Sequence, residues 1–440
     1  MLRYIPTLII ISLLYLSLAE NSRPLAAPGS VPRTTDAGDA FAARVVEVME
    51  KYRIIGLAYL VVKNNAEKGY GCFGYADTGK KRPVKRTTLF RIASISKPIT
   101  AAAIMQLVQR RKCRLDEDVS RYLGFRLRNP RYPKKPITLR HLLTHTSGIT
   151  DHGHYERFLD ASYSMSPPPL ASILKKGGIY YSKKSWKKQP PGKGFQYTNL
   201  GFGVLGTLVE KISRMRFDEY CKKNIFRPLG MNASFNIDDF GSSAEFATLY
   251  AHYSEKERER EEYKDKKEFE TSMDDFSGGK PPRRNLKGFT PGYNAMIHSP
   301  QGGARVSVED LGKFMSACMN GGAHGGKRIL QYWAASYMQR EIWSGTRPNG
   351  IRRVNGLSFH ITKNLVEGVR LVGHSGRAYG FQGLMYFDPV KKDGIIILMN
   401  GGDYYRDEDG PMEFHLVETE LYRLLHGEYI TPQPATDPVR

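Results

Sequence analysis

Strand-like segments at both ends of the chain, separated by a long run of helix-like segments, are the feature that most constrains how this sequence can fold. Two apolar runs, 54–62 and 70–75, come early and are joined by a polar turn over 63–69, which predicts a hairpin. Further strand-like runs return late, at 356–362, 369–372, 383–387 and 394–399. Because strands need partners, we expect the two ends of the chain to meet in one sheet, with the intervening segments inserted as a lobe.

The segments between these strands have the apolar spacing of helices. Helices are predicted at 39–52, 98–109, 139–143, 200–213, 308–319 and 412–425. The sequence therefore predicts an α/β fold of the α+β type, in which helices flank an antiparallel sheet of N- and C-terminal strands and a mainly helical lobe spans about 98–320. An almost wholly charged stretch, 254–270, is expected to be an exposed helix or a mobile insertion.

The first 19 residues have the pattern of a secretory signal peptide. Basic Arg3 precedes an apolar run, and the small residues Ser17 and Ala19 come before a predicted cleavage site ahead of Glu20. The run is too short for a comfortable membrane span. We expect a secreted or secretory-pathway protein with no stable membrane span after cleavage, and the competing interpretations are an uncleaved anchor and a mitochondrial presequence. The remaining predicted units are a linker (20–38), the domain (39–430) and a tail (431–440).

Charge and cysteine usage narrow the functional classes. Lys and Arg outnumber Asp and Glu by 66 to 44, a net charge of +22 that favours attraction to anionic surfaces. No helix-turn-helix, RNP or zinc-finger pattern accompanies the basic residues, so a specific nucleic-acid partner is not expected. The cysteines lie far apart without a CxxC pair and are expected to be isolated buried thiols, with one disulfide left open. They are Cys72, Cys113, Cys221 and Cys318.

The first candidate for chemistry is Ser94, which stands three residues before Lys97 at the start of a predicted helix. This spacing places both side chains on one face, so the amine can approach the hydroxyl, and the helix N-terminus supplies free N–H groups where an oxyanion would develop. The motif alone is weak, since 172–175 and 185–188 match it as well. Only Ser94 lies between a strand-like segment and a strongly apolar helix, and this context favours it as a nucleophile.

The second candidate is Tyr197, two residues before Asn199 and directly ahead of a predicted helix. A phenol can relay a proton between a nucleophile and a leaving group when a nearby cation lowers its pKa, and the asparagine can bind a substrate amide and the lysine. The competing interpretation makes Tyr197 a core aromatic residue and Asn199 the N-cap of the helix. The sequence leaves both open.

The third candidate is the segment His374-Ser375-Gly376, which ends a predicted edge strand ahead of Arg377. A polar residue on an edge strand, followed by a small residue and a glycine, lets a substrate lie along the strand with its carbonyl near a backbone N–H group. A structural turn between two strands would account for the same residues without any function.

Together the three segments resemble the motifs of the serine β-lactamase and penicillin-binding-protein superfamily, in the branch of class C β-lactamases, DD-peptidases and related esterases. Surrounding strings carry the resemblance further, among them FRIASISKPITAAAIMQL, ITLRHLLTHTSGI, PGKGFQYTNLGFGVLGTLVEKIS and VGHSGRAYGF. The resemblance implies a β-lactamase/transpeptidase-like fold. It also implies a serine hydrolase that forms an acyl-enzyme on an ester, an amide or a small peptide, without a cofactor.

The resemblance further implies a role for each matching residue. Ser94 would be the nucleophile, Lys97 its activator and Tyr197 the general base or acid. The substrate-binding residues would be Asn199, His374, Ser375, Gly376 and Arg377. The backbone N–H groups of Ser94 and Arg377 would form the oxyanion hole. Which of Lys97 and Tyr197 takes the first proton is a property of the coupled pair.

One departure from the family pattern bears on the substrate. Class C β-lactamases carry Lys where this chain has His374, whereas His is found there among DD-peptidases, esterases and the mitochondrial β-lactamase-like proteins of animals. Histidine has an ordinary pKa of about 6.5, so its charge is expected to change near neutral pH and to anchor a substrate carboxylate less firmly than lysine does. The resemblance therefore implies acyl transfer without efficient penicillin hydrolysis.

Other interpretations stay open. A metal site could be built from His141, His145, His152 and His154, although no HExxH pattern is completed and the same string matches a loop of the family. The chain could also be a catalytically silent assembly or binding protein with the same fold, or a basic binder of anionic polymers. The sequence does not fix the oligomeric state and is compatible with an oligomer.

Overall fold

The computed structural model describes residues 31–164, 166–276, 286, 288–346, 350–403 and 413–431. The predicted signal peptide, most of the predicted linker and the predicted tail beyond Thr431 lie outside the described residues. In the part of the chain that the structure describes, no helix has the length and apolar character needed to cross a membrane.

Short and long strands alternate with helices along the chain. The strands are β1 (Arg33–Thr35), β2 (Gly56–Lys63), β3 (Ala66–Asp77), β4 (Arg82–Pro83), β5 (Phe90–Arg91), β6 (Leu249–His252), β7 (Phe269–Met273), β8 (Arg305–Val306), β9 (Ala323–His324), β10 (Lys327–Arg328), β11 (Trp343–Thr346), β12 (Arg352–Asn355), β13 (His360–Thr362), β14 (Leu371–Ala378), β15 (Phe381–Asp388) and β16 (Asp393–Asn400). The α-helices are α1 (Asp39–Lys51), α2 (Ser96–Gln109), α3 (Ser120–Leu123), α4 (Leu139–Leu143), α5 (Tyr155–Ser162), α6 (Ala171–Leu174), α7 (Asn199–Ser213), α8 (Phe217–Cys221), α9 (Glu255–Arg258), α10 (Val308–Met319), α11 (Tyr332–Met338) and α12 (Leu416–Leu425).

The main sheet joins the two ends of the chain, as the distribution of strand signals predicts. Its strand order is β1-β3-β2-β16-β15-β14-β13-β12-β11, with β4 paired to β3. The N-terminal β2 pairs antiparallel with the C-terminal β16 over seven residue pairs, from Gly56 opposite Asn400 to Val62 opposite Gly394. The predicted fold class, an antiparallel sheet of N- and C-terminal strands with helices inserted between them, is confirmed.

Alternation along the central strands gives the sheet two apolar faces. Leu57 and Tyr59 of β2 belong to a core shared with α1 and α12, whereas Ala58 and Leu60 belong to a core shared with α2, α7 and α10. Because both faces are covered, these strands are continuous apolar runs rather than alternating ones. The second core fixes α2 and α7, the two helices that carry the candidate site, against the sheet.

Several predicted boundaries differ from the observed ones. The hairpin between β2 and β3 turns at Asn64 and Asn65, whose φ angles of +51° and +65° are tolerated by asparagine, so the predicted turn over 63–69 is too long. Ser358, with a φ of +69°, interrupts the predicted strand 356–362, and only β13 remains. All four cysteines are buried free thiols.

The charged stretch 254–270 is not one long helix. Ser254 caps the four-residue α9 through a reciprocal bond with Glu257, and the chain then enters β7, which pairs antiparallel with β6. The predicted exposed helix is therefore limited to α9, because the tertiary pairing of β6 with β7 sets the conformation of the flanking residues.

Candidate active site

Ser94 is presented on a strained turn between β5 and α2. Its predecessor Ala93 has a φ of +42°, a left-handed conformation that costs free energy in a residue with a Cβ. A 3-10 turn over Ala93–Ile95 leads directly into α2. Ala93 and Ile95 are buried, while Ser94 between them is partly exposed. The strand-to-helix junction predicted from the sequence thus leaves Ser94 partly exposed.

Lys97 lies one helical turn further on, and its amine makes three hydrogen bonds. Its Nζ donates to Ser94 Oγ at 2.9 Å, to Asn199 Oδ1 at 2.9 Å and to the backbone carbonyl of Gln301 at 2.8 Å. The side chain is 0% exposed, and burial lowers its pKa to about 7, against an opposing effect of the negative charge of Asp151. Near neutral pH the amine is therefore available in both its charged and its neutral form.

Tyr197 approaches the same oxygen from the other side. Its hydroxyl donates to Ser94 Oγ at 2.7 Å, and Lys97 Nζ lies 4.7 Å from the centroid of its ring. Burial raises the pKa of Tyr197, against the lowering effect of its hydrogen bond to Ser94. The expectation that a nearby cation lowers the pKa of this phenol is therefore wrong, because burial outweighs the lowering effects of Ser94, Arg353 and Arg377. Tyr197 holds its proton at neutral pH.

Asn199 is the first residue of α7 and is not its cap. The N-cap is Thr198, whose hydroxyl accepts a hydrogen bond from the backbone N–H group of Gly201. This leaves the Asn199 side chain to accept from Lys97. The structure thus brings Asn199, at the start of α7, next to Lys97 on α2 and Ser94 in the turn before α2, although about a hundred residues separate Asn199 from them in the sequence.

Strand β14 passes close to the Ser94 turn. A Cβ placed on Gly376 would lie 2.6 Å from the carbonyl oxygen of Ile92 and 3.1 Å from the backbone nitrogen of Ser94. Glycine is needed here because any side chain would push the strand away from Ser94. Arg377, the next residue, is exposed, and its guanidinium lies 3.8 Å from the buried carboxylate of Glu418.

The predicted edge strand is an interior strand of the sheet. Strand β14 lies between β13 and β15, but its pairing with β13 ends where Gly373 meets His360. The register with β15 continues as far as Ala378. The short length of β13 therefore leaves His374 to Ala378 beyond the last pair on that side of β14.

His374 is buried beside Tyr197 and is neutral at neutral pH. Its Nδ1 contacts the backbone carbonyl of Ser375, and its ring centroid lies 6.3 Å from that of Tyr197. Burial, followed by the charge of Lys97, lowers its pKa well below the ordinary value. The expectation that His374 changes charge near neutral pH is wrong, because desolvation and a neighbouring ammonium both disfavour the imidazolium. Ser375 is partly exposed.

Comparison with known proteins identifies the family. A family model described as Beta-lactamase matches residues 41–415. The chain belongs to the beta-lactamase family. The resemblance to serine β-lactamases and penicillin-binding proteins that the three motifs carry is thereby confirmed.

Individual relatives agree with this assignment. The chain is 34% identical over 163 residues to "Penicillin-binding protein 4*" of Bacillus subtilis (strain 168), a match that covers 36% of this chain and 33% of that protein. It therefore spans about a third of the length of the curated relatives it matches. Among solved structures, an octameric penicillin-binding protein homologue from Pyrococcus abyssi is 26% identical with a TM-score of 0.63, covering 88% of this chain and 77% of that one.

The D-amino acid amidase of Ochrobactrum anthropi SV3, solved in complex with L-phenylalanine amide, shares the fold. It is 20% identical with a TM-score of 0.61, and the match covers 88% of this chain and 98% of that one. The β-lactamase/transpeptidase-like architecture of this family member is thus seen over most of its length.

Two residues outside the three motifs support the site: Asp151, and His145, which the sequence suggested only as a metal ligand. The imidazole of His145 stacks on the Tyr197 ring at 4.4 Å between centroids, and its Nδ1 accepts from the backbone N–H group of Thr198. The carboxylate of Asp151 accepts from Thr198 and from the first backbone N–H groups of α7. The string LLTHTSGITD contains both residues, and its polar content between apolar helices is the sequence signal that points to them.

A cation and two aromatic rings that the motifs do not reveal lie next to His145. Phe195 contacts His145 edge-on at 5.8 Å and stacks on Trp343 at 5.4 Å. The guanidinium of Arg353 lies 5.6 Å from the Phe195 ring, and its charge lowers the pKa of His374 as a lesser cause. Residues from β11 and β12 thus reach the site across the sheet.

The histidines weighed as metal ligands have other surroundings. His141 Nδ1 accepts from the backbone N–H group of Thr138 at the start of α4, His145 stacks on Tyr197, and His152 is exposed. Within the described ranges, no group of three or more His, Cys, Asp or Glu residues is placed to hold a metal ion.

Proposed function

We propose that the chain is a serine hydrolase that cleaves an ester or amide through an acyl-enzyme on Ser94. The observation that supports this most directly is the placement of Ser94 Oγ within hydrogen-bonding distance of both Lys97 Nζ, at 2.9 Å, and the Tyr197 hydroxyl, at 2.7 Å. A nucleophile of high pKa needs a base within reach and a second group that can supply a proton to the leaving group.

Lys97 is the better first base. A neutral amine has two N–H donors and one lone pair, and the oxygens of Asn199 and Gln301 accept the two donors. The lone pair then points to Ser94 Oγ. With a pKa of about 7, a large fraction of Lys97 is neutral at physiological pH, whereas Tyr197 remains protonated.

Acylation then proceeds in two steps. Ser94 Oγ bonds to the substrate carbonyl carbon as its proton moves to Lys97, and the carbonyl electron pair becomes an oxyanion beside the N–H groups of Ser94 and Arg377. The oxyanion collapses, the bond to the leaving group breaks, and the leaving group takes the proton of the Tyr197 hydroxyl. Lys97 then passes to Tyr197 the proton that it took from Ser94. Water repeats the sequence on the acyl-enzyme and releases the acid.

The open side of β14 and the neutral His374 favour an extended, uncharged acyl group, such as that of a small peptide, an amide or an ester. Beyond Gly373, the side of β14 that faces away from β15 can take such a substrate as an added strand. A neutral His374 offers no fixed charge to a carboxylate next to the scissile bond. We therefore propose that penicillins acylate Ser94 slowly and are not its efficient substrates.

Covalent labelling tests this function without knowledge of the substrate. A fluorophosphonate probe and a fluorescent penicillin should label the wild type at one serine, located by peptide mapping, and Ser94→Ala should abolish the label. Ser172→Ala is the matched control, because Ser172 also stands three residues before a lysine but donates its hydroxyl to the Pro169 carbonyl. Labelling that survives in Ser94→Ala would contradict the proposal.

The same experiment addresses the alternative of a catalytically silent protein. Such a protein has no need to keep a buried amine and a phenol each within 3 Å of one partly exposed hydroxyl, as Lys97 and Tyr197 are to Ser94 Oγ here. A folded wild type that takes up neither probe would favour the silent assembly or binding protein.

We further propose export through the secretory pathway, on the pattern of the N-terminal residues. Asn232 begins an Asn-Ala-Ser triplet and is exposed, so it is accessible to a glycan in that compartment. Expression in a secreting cell should give a protein whose mass falls on glycosidase treatment, and Asn232→Gln should remove the change. Recovery of the full-length product in mitochondria would contradict export.

A further inference from the structure

Asp151 makes three hydrogen bonds at the start of α7, the helix that carries Asn199. Its Oδ2 accepts from the backbone N–H group of Asn199 at 2.7 Å, and its Oδ1 accepts from that of Leu200 at 2.9 Å and from the Thr198 hydroxyl at 2.7 Å. A carboxylate at a helix N-terminus satisfies donors that lack a partner within the helix and is stabilised by the helix dipole. One side chain thus fixes three consecutive residues behind Tyr197.

The charge of Asp151 also acts on the groups that would move protons. It raises the pKa of Lys97, against the larger effect of burial, and it raises the pKa of Tyr197 in the same direction as burial. On α5, burial raises the pKa of Tyr155 and of Glu156, and the charge of Asp151 raises both further. Asp151 therefore opposes loss of the proton from both members of the pair that contacts Ser94.

The structure points to an arrangement that the three motifs do not describe. We infer that Asp151 is a positioning residue of this site: its carboxylate holds the turn of Tyr197, Thr198 and Asn199 against Lys97 and provides the negative charge that balances the ammonium of that lysine. The inference rests on the proposed function, because it assigns Asp151 an effect on Ser94 chemistry that acts only through Lys97, Tyr197 and Asn199.

Thr198 separates the two parts of this role. Its hydroxyl donates to Asp151 and accepts from Gly201, so Thr198→Val removes hydrogen bonds of the turn while the carboxylate charge stays. Asp151→Asn removes the charge while the size of the side chain stays the same. Asp151→Glu keeps the charge on a longer side chain.

The experiment measures kcat and KM for an activated nitrophenyl ester as a function of pH, with Ser94→Ala as the blank. Asp151→Asn should lower kcat by about 10- to 100-fold, the range for a displaced catalytic group, and should change KM less. The acidic limb of kcat/KM, where Lys97 gains its proton, should move to lower pH by about half a unit or more, because the ammonium loses its counter-charge. Asp151→Glu should return the limb to its wild-type position, and Thr198→Val should lower kcat without moving the limb.

Ser307→Ala is the matched control for a lost helix cap, because Ser307 accepts from the backbone N–H group of Asp310 and so caps α10, a helix that carries none of the candidate site residues. It should cost a similar amount of thermal stability and leave both kcat and the limb unchanged. If Asp151→Asn loses activity only in proportion to its thermal stability, or if its limb stays in place, Asp151 is a structural cap and the inference is overturned while the proposed function stands. If the wild type shows no turnover that depends on Ser94, both are overturned. If Asp151→Asn does not fold, the acidic limbs of Asp151→Glu and Thr198→Val are compared with that of the wild type. Both variants keep the charge, so a limb that is displaced in both would contradict the role of the charge.

Discussion

Lys97 and Glu210 are both ionisable side chains with 0% exposure, on α2 and α7 respectively, yet they are held in different ways. Glu210 accepts from the backbone N–H groups of Phe217 and Gly292, at 3.0 and 2.7 Å, and both donors belong to the folded backbone. Lys97 donates to a backbone carbonyl and an asparagine, but its third partner is the partly exposed hydroxyl of Ser94.

This difference separates a buried ionisable group that contacts a partly exposed hydroxyl from one whose hydrogen bonds go to the backbone. Burial shifts both pKa values toward the neutral form, that of Lys97 down to about 7 and that of Glu210 up to about 8. A perturbed pKa alone therefore does not mark an active site. What distinguishes Lys97 is that one of its partners can react with a molecule from solvent.

Loss of the Lys97 amine should have the largest effect on activity. Lys97→Met keeps the length of the side chain but removes the first base, so kcat/KM should fall by roughly 10³-fold, within the range for a positioned acid or base. Lys175→Met is the matched control from the second Ser-x-x-Lys sequence and should leave the rate unchanged. Near wild-type turnover in Lys97→Met would mean that Lys97, like Glu210, only supports the fold.

Tyr197→Phe should have the next largest effect. It removes the proton donor for the leaving group and leaves the ring stacked on His145, so kcat should fall by roughly 10²-fold with a smaller change in KM. Tyr422→Phe, which removes a buried hydroxyl bonded to the Tyr386 carbonyl on the far side of the sheet, serves as control. An unchanged rate in folded Tyr197→Phe would return Tyr197 to the role of a core aromatic residue.

His374→Lys should change substrate preference rather than the overall rate. A cation there can bind a carboxylate, so the ratio of kcat/KM for a penicillin to that for a neutral ester should rise about 10-fold, the effect of one charge-assisted hydrogen bond. Because His374 is neutral across the neutral range, the wild-type ratio should not follow an imidazole titration. His374→Gln, which adds no charge, should leave the ratio in place, and an unmoved ratio in His374→Lys would mean that residue 374 does not touch the substrate.

The smallest effect on turnover is expected for Glu210→Gln. Its amide leaves one backbone donor of Phe217 or Gly292 without an acceptor, which should cost about 1–3 kcal/mol of unfolding free energy. Since neither donor contacts Ser94, kcat/KM should stay within about threefold of wild type. A large loss of activity in a folded variant would break the contrast with Lys97.

The two buried groups should also give stability profiles of opposite sign. The pKa of Glu210 is raised from its ordinary value of 4.5 to about 8, so its stabilising contribution is present at low pH and is lost as pH rises toward 8. The pKa of Lys97 is lowered from 10.5 to about 7, so its contribution is lost as pH falls toward 7 and returns as pH rises toward 10.5.

Urea unfolding of wild type and variants at a series of pH values measures both profiles. The free-energy difference between wild type and Glu210→Gln should shrink from pH 5 to 8, and that between wild type and Lys97→Met should grow from pH 7 to 10. Parallel profiles for the two pairs would mean that the two groups are not held in their neutral forms.

Hydrophobic pattern predicted the elements of the fold better than their ends. The helices at 139–143 and 308–319 have the observed bounds, because their apolar spacing and flanking polar residues are local features. The predicted end of the first hairpin and the predicted length of the strand at 356–362 were wrong, because residues with a left-handed backbone conformation, such as Asn65 and Ser358, set these boundaries. Such backbone conformations depend on tertiary context as well as on residue type.

The sequence by itself determined the order of the elements, the meeting of N- and C-terminal strands in one sheet, and the residue types that meet at Ser94. These follow from apolar periodicity and from motifs that can be read along the chain. The Ser-x-x-Lys and Tyr-x-Asn motifs also indicate Lys97 and Tyr197.

Only the tertiary structure decided the protonation states and the support of the site. Burial, which no motif encodes, keeps Tyr197 protonated and His374 neutral and lowers the pKa of Lys97 to about 7. The same is true of Asp151, which reaches the start of α7 from 47 residues away in the sequence. Desolvation and contacts between distant segments arise from packing. The sequence therefore indicates which side chains meet at Ser94, and the tertiary structure decides their protonation states.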